Sequence, residues 1–179
     1  MRFTGRCWVY GDDVNTDVIF PGKYTYTLTD ISQFAAHALE DLDPDFARLV
    51  QPGDIVVGGK NFGCGSSREQ AAVCLKMCGV RVIIAKSFAR IFYRNCVNNG
   101  ILPIICPPAV EVIRKGDMVT VDVEQTTITL DRLPGQRFSF SPLSPSMQAI
   151  IEAGGLIPML RRKLGTEHLP MPEIKFTAE

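Results

Sequence analysis

The feature that most constrains the fold is a strand that runs through a glycine-rich turn into a helix. The β-branched run Asp54–Val57 has the composition of a buried strand. Gly63 and Gly65 lie in the turn that follows it. Residues 71–78 then have the pattern of a helix that ends before Gly79. This order of elements begins a β-α-β unit and predicts a fold of the α/β class.

The side chains of this turn suit the binding of an anion. Gly63 and Gly65 permit a positive φ and let a ligand approach the backbone closely. Ser66, Ser67 and Arg68 add two hydroxyls and a planar guanidinium, which match a carboxylate or a phosphate. Free N–H groups at the start of the next helix are expected to face the same anion. We interpret the turn as a carboxylate-binding site.

The same residues also have a purely structural interpretation. Ser66 and Glu69 have the spacing of a capping box, in which a serine and a glutamate bond the free N–H groups of a helix start. Two nucleotide-binding motifs are excluded. The turn lacks the ending of a P-loop, and Arg68 stands where the dinucleotide motif needs its third glycine. The density of glycines and the presence of Arg68 favour a binding site, because a helix start needs neither.

Two further strands extend the unit into a parallel core. Residues 80–85 and 101–105 are apolar strands. The segment 88–98 between them has the pattern of a helix capped by Ser87. Its predicted buried face carries Phe88, Ile91, Phe92 and Cys96. The β-α-β-α-β order predicts three parallel strands, and Pro103, which cannot donate to a neighbour, predicts that the third lies at an edge or is interrupted. The glycine-rich turn then lies where open α/β sheets bind ligands.

The remaining elements lie on either side of this core. Before it we predict a strand at 3–10, loops at 11–17 and 23–30 around a brief apolar segment at 18–20, and short helices near 31–39 and 44–50. After it we predict antiparallel strands at 118–123, 126–130 and 138–140 and helices at 147–153 and 156–164. The predicted α/β fold has a three-stranded parallel core, additional partly antiparallel strands and C-terminal helices. We place it in one domain, 1–165, with a tail at 166–179.

Charge and cysteine content exclude several classes of protein. Lysine plus arginine equals aspartate plus glutamate at 19 each, which argues against a nucleic acid or an anionic membrane as partner. The first residues have the pattern of a strand rather than a signal peptide, so we expect a cytoplasmic protein. The six cysteines include no C-x-x-C pair. Cys74 and Cys78 could share a metal at i and i+4, but core packing is the favoured interpretation and we predict no bound metal.

Three segments, taken in order, resemble one known family. They are Gly-Asp-Asp-Val-Asn-Thr-Asp-Val-Ile at 11–19, Gly-Lys-Asn-Phe-Gly-Cys-Gly-Ser-Ser-Arg-Glu-Gln-Ala at 59–71 and Lys-Ser-Phe-Ala-Arg-Ile-Phe-Tyr-Arg-Asn at 86–95. Glu-Ala-Gly-Gly-Leu at 152–156 continues the likeness. The chain resembles the small subunits of 3-isopropylmalate dehydratases, which are the detached swivelling domain of the aconitase superfamily.

The resemblance implies a reaction and a division of roles. Members remove water from a hydroxy-dicarboxylic acid and add it back, and a 4Fe-4S cluster held by the large subunit acts as the Lewis acid. In this chain, Ser66 corresponds to the base that removes the proton next to the carboxylate. Ser67 and Arg68 would bind the substrate carboxylate at the turn formed by Gly65, and Asp17 matches an acidic residue of the active-site network. The cysteines here would not be cluster ligands.

The resemblance also implies a specificity segment. It corresponds to Tyr24, Thr25, Tyr26 and Thr27. Homoaconitase-like members often carry an arginine where Tyr26 stands, and an aromatic ring better suits an isopropyl group. We therefore expect isomerisation of 2-isopropylmalate and 3-isopropylmalate, as in leucine biosynthesis. Thr25 departs from the leucine that is often found there. Homoaconitase, citraconate or methylmalate-type and 2,3-dimethylmalate dehydratases stay open as alternatives.

Two interpretations outside this enzyme class remain. The chain could be a stand-alone domain that binds phosphate or sulfate at the predicted helix start. It could also be an RNA-binding regulator, but the neutral charge and the lack of a basic stripe oppose that function. If the resemblance holds, the isolated chain should be inactive until a large subunit joins it.

Overall fold

The computed structural model describes residues 1–170 and contains one seven-stranded mixed sheet. The strands are β1 (Arg2–Val9), β2 (Ile55–Gly58), β3 (Val82–Ala85), β4 (Leu102–Ile105), β5 (Met118–Asp122), β6 (Thr127–Leu130) and β7 (Arg137–Ser139). Their spatial order is β4-β3-β2-β1-β5-β6-β7. The central strand β1 pairs parallel with β2 and antiparallel with β5, so the sheet has a parallel half and an antiparallel half.

Residues 1–170 also form seven α-helices and two short 3-10 helices, which lie between these strands or follow the last of them. The α-helices are α1 (Thr16–Ile19), α2 (Phe46–Leu49), α3 (Gln70–Met77), α4 (Arg90–Asn98), α5 (Pro107–Val112), α6 (Pro145–Glu152) and α7 (Leu156–Leu164). The 3-10 helices are Gly22–Tyr24 and Ile31–His37. Within the described residues, no helix is long and apolar enough to cross a membrane.

The parallel half confirms the predicted core and shows why its strands are so apolar. Every residue of β2 and β3 is buried, because one hydrophobic cluster covers each face of the sheet. Val56 and Ile83 face the first cluster, whereas Val57 faces the second. The strand that contains Pro103 pairs only with β3 and lies at the edge, as its proline predicted.

In the antiparallel half, only one face of the sheet packs against a hydrophobic cluster. Val119 and Val121 on β5 and Ile128 on β6 point into the second cluster, and the residues between them are partly or fully exposed. This alternation confirms the predicted antiparallel pair. Phe140, directly after β7, and Ile151 on α6 complete the cluster.

The predicted Ser87 cap is wrong, and so is the alternative capping-box interpretation of Ser66 and Glu69. Helix α3 begins at Gln70 after Glu69, which makes no side-chain cap, so Ser66 and Glu69 do not form a capping box. The helix start whose free N–H groups were expected to face the anion therefore lies at Gln70, and residues 67–69 separate it from Ser66. Helix α4 begins at Arg90 rather than Phe88, because the Ser87 hydroxyl accepts a hydrogen bond from the Asn61 amide at 2.8 Å instead.

Three smaller predictions also need correction. Val18 and Ile19 of the apolar segment 18–20 belong to helix α1, which begins after Asn15 because the Asn15 side chain accepts a hydrogen bond from Val18 N at 2.9 Å. Ile91, predicted to be buried on α4, is 51% exposed. Helix α5 was not predicted; Pro107 and Pro108 fit its first turn, where no N–H is needed.

Only part of the predicted tail lies within the described residues. The Arg161 guanidinium on α7 donates to the carbonyl oxygens of Thr166, Glu167 and Leu169, so this stretch folds back onto the helix. Residues 171–179 lie outside the described part of the chain. The boundary between a domain at 1–165 and a tail stays a prediction.

Candidate functional site

Three loops follow the carboxyl ends of strands in the parallel half, and backbone hydrogen bonds connect them to one another. The first loop follows β1, the second follows β2 and the third follows β3. The second loop pairs with the first through Gly63 N to Val14 O at 2.7 Å and through Thr16 N to Cys64 O at 2.8 Å. It pairs with the third through two hydrogen bonds between Phe62 and residues 87 and 89, at 3.0 and 2.9 Å. The site is therefore built on the carboxyl ends of three neighbouring strands.

Glycine shapes the second loop, as the sequence predicted. Gly63 has a φ of 79°, and a Cβ atom there would lie 2.1 Å from the ring of Phe92. Gly65 has a φ of 93°, a conformation that L side chains rarely adopt. The backbone can therefore turn sharply between the buried Phe62 and the exposed Ser66.

The hydroxyl of Ser66 lies at the tip of this loop and meets one buried side chain. Thr16, at the start of α1, is 1% exposed and donates from its Oγ1 to the Ser66 carbonyl oxygen at 3.0 Å. Its Oγ1 also lies 3.0 Å from the Ser66 Oγ. Ser66 is thus exposed to solvent on one side and hydrogen-bonded to the first loop on the other.

The guanidinium of Arg68 is held by residues from the first loop and the specificity segment. Its Nη1 lies 2.7 Å from Asp17 Oδ1 and 3.3 Å from Thr25 Oγ1. The side chain of Arg68 is 28% exposed, and a Cβ atom on Gly22 would lie 2.7 Å from the same Nη1. Both polar contacts use Nη1, so among residues 1–170 the edge formed by Nε and Nη2 has no partner.

The specificity segment divides into residues that pack and residues that are exposed. Thr25 is buried beside Arg68. The ring of Tyr24 stacks on His37 with a centroid separation of 3.8 Å, and the Thr27 hydroxyl donates to the Lys23 carbonyl oxygen at 3.0 Å. Tyr26 is 69% exposed. The structure therefore brings Asp17, Thr25 and Arg68 into contact, whereas Tyr24 and Thr27 make contacts of their own.

Two residues of the site were missed from the sequence. Thr16 lies directly before Asp17 within the segment that carries the family resemblance, and its position after an asparagine cap was the available signal. Gly22 follows Pro21, and this pair of residues is typical of an ordinary turn. Nothing local in the sequence indicates that its missing side chain makes room for Arg68, which lies far along the chain.

The described residues do not fit an iron–sulfur cluster. No three His, Cys, Asp or Glu side chains among them lie close enough to hold a metal ion. Of the six free cysteines, all but Cys64 are buried, and burial raises the pKa of both Cys7 and Cys78 to about 12. Such clusters need several thiolates together. Cys74 and Cys78 lie in the first hydrophobic cluster, as the packing interpretation predicted.

Comparisons with known proteins agree with this geometry. A family model of the aconitase C-terminal domain matches residues 21–109. The 3-isopropylmalate dehydratase small subunit of Heliobacterium modesticaldum is 47% identical over 164 residues, which are 92% of this chain and 98% of that protein. The 2,3-dimethylmalate dehydratase small subunit of Eubacterium barkeri is 48% identical over 157 residues, which are 88% of this chain and 95% of that protein.

A solved structure has the same fold. The crystal structure of 3-isopropylmalate dehydratase from Methanocaldococcus jannaschii superposes with a TM-score of 0.85 at 41% sequence identity, covering 95% of this chain and 100% of that chain. The relatives match almost end to end, and the resemblance stated from three motifs is confirmed. The chain belongs to the family of 3-isopropylmalate dehydratase small subunits, within the aconitase superfamily.

Proposed function

We propose that this chain is the small subunit of a heteromeric hydro-lyase that interconverts 2-isopropylmalate and 3-isopropylmalate. The observation that carries the proposal is the meeting of Asp17, Thr25 and Arg68 beside Ser66 at one edge of the sheet. Full-length relatives with this activity in their names support it. The 4Fe-4S cluster that the resemblance implies belongs, in this proposal, to the large subunit.

Arg68 is the proposed carboxylate clamp. Asp17 and Thr25 engage Nη1, which leaves the Nε and Nη2 edge for a bidentate carboxylate. Because Asp17 fixes the guanidinium before substrate arrives, less side-chain freedom is lost on binding. Ser67 precedes Arg68 in the chain, is exposed and offers a hydroxyl donor, and Gly65 lets the substrate approach the backbone.

Ser66 is the proposed base that removes the proton next to the substrate carboxylate. A serine hydroxyl is a weak base at neutral pH, so its deprotonated form needs strong local stabilisation. Donors fixed in place before the reaction supply such stabilisation most effectively. The guanidinium of Arg68, two residues away and partly buried, contributes positive charge on the same loop.

The removal of the Ser66 hydroxyl tests this assignment. In a complex reconstituted with the large subunit, Ser66→Ala should lower kcat by about 10²- to 10⁴-fold, the usual contribution of a positioned base. Ser67→Ala is the matched variant and should mainly raise KM. Gel filtration should show both variants assembled with the large subunit. Near-normal turnover by Ser66→Ala would refute the assignment of the base.

The exposed ring of Tyr26 favours an alkyl-substituted malate. Tyr26 follows Thr25, which contacts the proposed clamp, and an aromatic surface suits an isopropyl group better than a further carboxylate. A methyl-substituted malate has similar chemistry, and the Eubacterium barkeri relative is as similar to this chain as the isopropylmalate relatives are. The 2,3-dimethylmalate dehydratase function is therefore the second candidate.

A substrate panel distinguishes these candidates. The reconstituted complex should be assayed with 3-isopropylmalate, 2,3-dimethylmalate, citramalate and homocitrate under identical conditions. We expect the highest kcat/KM with 3-isopropylmalate and little turnover of homocitrate. A preference for 2,3-dimethylmalate would establish the second candidate. Tight sulfate or phosphate binding by the isolated chain, with no activity in any complex, would instead establish a stand-alone anion-binding domain.

A further inference from the structure

We propose that Thr16 is a positioning residue, whose buried hydroxyl orients the Ser66 hydroxyl and stabilises Ser66 when it is deprotonated. The inference rests on the proposed function, because it assigns a partner to the proposed base. Its starting point is that both polar contacts of the Thr16 hydroxyl are made with Ser66, one with the carbonyl oxygen and one with Oγ.

One arrangement of protons makes both contacts hydrogen bonds at the same time. A hydroxyl carries one proton, and Thr16 uses its proton to donate to the Ser66 carbonyl oxygen at 3.0 Å. In the contact between the two hydroxyls, also 3.0 Å, Ser66 is therefore the donor and Thr16 the acceptor. This arrangement points the Ser66 proton towards the protein and leaves the lone pairs of Oγ on the exposed side of the loop.

The same hydroxyl can also serve the deprotonated state. When Ser66 releases its proton to solvent, its Oγ becomes a negatively charged acceptor and is stronger than the carbonyl oxygen. Both acceptors lie 3.0 Å from Thr16 Oγ1, so rotation of one C–O bond moves the Thr16 proton from one to the other. Thr16 keeps its proton throughout, and the number of hydrogen bonds that it donates does not change.

The surroundings of Thr16 make it a fixed donor rather than a flexible one. Its side chain is almost fully buried, its N–H donates to the Cys64 carbonyl oxygen at 2.8 Å, and its carbonyl oxygen accepts from Phe20 N at 3.0 Å. A hydrogen bond from a donor held in this way is stronger in a low-dielectric site, and the donor needs little reorganisation. The next residue, Asp17, holds Arg68. The first turn of α1 thus contacts both proposed functional side chains.

The pH profile of the reconstituted complex tests the inference. Thr16→Val keeps the shape of the side chain and removes the hydroxyl. We expect kcat to fall about 10- to 100-fold, the usual effect of losing a hydrogen bond to a charged group, with KM within threefold of the wild type. The acidic limb of the kcat profile should move to higher pH by about one to two units, since one pKa unit corresponds to a tenfold change.

Two comparisons separate this role from a merely structural one. Thr4→Val is the control, because Thr4 Oγ1 lies 2.9 Å from Thr120 Oγ1 in a similar hydroxyl pair away from the site. It should change neither kcat nor the pH profile. Thr16→Ser restores a hydroxyl and should recover most of kcat, whereas Thr16→Cys, of similar size to serine but a weak donor, should not. If Thr16→Val fails to fold, the comparison of Thr16→Ser with Thr16→Cys still tests whether the hydroxyl is required.

Several results would overturn the inference. They are an unshifted acidic limb with normal kcat in Thr16→Val, equal activity of Thr16→Ser and Thr16→Cys, or a loss confined to KM. These failures differ from a failure of the proposed function. If the wild-type complex turns over alkylmalates and Ser66→Ala does not, the function stands whatever Thr16 does. If the wild-type complex is inactive on every substrate, the proposed function itself fails.

Discussion

Arg68 shows how a single guanidinium can be held by the protein and still bind a ligand. Asp17 and Thr25 occupy one nitrogen of the fork, and Gly22 leaves the space in which that nitrogen lies. A lysine could keep the ion pair with Asp17 but would have no second edge to offer, because its charge lies on one nitrogen. The identity of this residue therefore matters more than its charge.

Replacing Arg68 by lysine tests that argument. In the reconstituted complex, Arg68→Lys should raise KM for the substrate about tenfold or more, since an ammonium cannot form the bidentate pair. Thermal unfolding should change little, because the side chain is partly exposed and the charge is kept. Steady-state kinetics at several substrate concentrations make the measurement. An unchanged KM would show that Arg68 is not the clamp.

Gly22 gives a second test, which leaves the chemistry of Arg68 intact. In Gly22→Ala the new methyl group would lie 2.7 Å from Arg68 Nη1, and the flexible end of the arginine should move away from it. We expect a raised KM with a Tm close to that of the wild type. Gly11→Ala is the control, because nothing lies within 4 Å of a Cβ atom there. Equal KM values in Gly22→Ala and Gly11→Ala would show that the position of Arg68 does not depend on the space left by Gly22.

At the scale of elements, the second loop depends on close contact between a glycine and an aromatic ring. Gly63→Ala would add a methyl group 2.1 Å from the buried Phe92 ring, at a φ of 79°. We expect a loss of about 3 kcal/mol in unfolding free energy, the sum of overpacking and a left-handed backbone. Gly116→Ala has a φ of 90° and open space, and should lose only about 1 kcal/mol.

Denaturant unfolding of the two variants makes this comparison. The difference between them isolates the clash with Phe92 from backbone strain, because both glycines have a positive φ. If the two variants lost equal stability, the loop would be able to move away from α4 without cost. The close contact between Gly63 and the Phe92 ring would then not hold the loop in place.

The periodicity of apolar residues predicted most helices and strands. The hydrogen-bonding side chains near the helix starts did not predict the helix caps. The bounds of α7 and the antiparallel pair β5 and β6 follow from glycines and from alternation, which act within a few residues. The two serine caps failed because Ser66 and Ser87 bond to neighbouring loops rather than to their own helices. A hydroxyl has the same spacing in sequence whether it caps a helix or bridges two loops.

The candidate site shows the same limit at larger separation. Ser66, Ser67 and Arg68 were identified because they are adjacent, and Asp17 because it lies in a segment with a family resemblance. The contact between Asp17 and Arg68 depends on the pairing of β1 with β2. The contact of Thr16 with Ser66 and the space that Gly22 leaves for Arg68 depend on the same pairing. Such residues become visible only when the loops are placed side by side.

At the scale of the whole molecule, a buried carboxylate links β1 to the turn before β2. Asp54 is 5% exposed and accepts hydrogen bonds from Arg6 Nη2 at 3.0 Å, Trp8 Nε1 at 2.9 Å and Gln51 N at 3.0 Å. Burial alone would raise the pKa of Asp54, but these donors outweigh it and lower the pKa below its ordinary value. The ionised form is therefore favoured by folding.

This lowered pKa predicts a pH-dependent contribution to stability. The contribution is complete above the unfolded-state pKa, near pH 4, and is lost as pH falls through the lower folded-state pKa. Asp54→Ala should cost about 2–4 kcal/mol at pH 7, because it leaves buried donors and Arg6 without their acceptor. The difference from the wild type should shrink between pH 5 and pH 3.

Chemical unfolding at several pH values measures that difference. The exposed Asp131→Asn is the control and should change the unfolding free energy by less than about 0.5 kcal/mol at every pH. A gap between Asp54→Ala and the wild type that stays constant down to pH 3 would show that the ionised carboxylate is not what the donors stabilise.

The central place of β1 has a consequence for how the chain is made. Among the seven strands of this sheet, β1 is synthesised first, and both halves of the sheet assemble on it, since β2 and β5 are its two neighbours. The nascent chain completes β2, β3 and β4 before any partner for the opposite edge of β1 has been synthesised. Until β5 has been synthesised, that edge of β1 has unpaired backbone groups. The nascent chain can then form intermolecular β-pairing with a strand of another molecule.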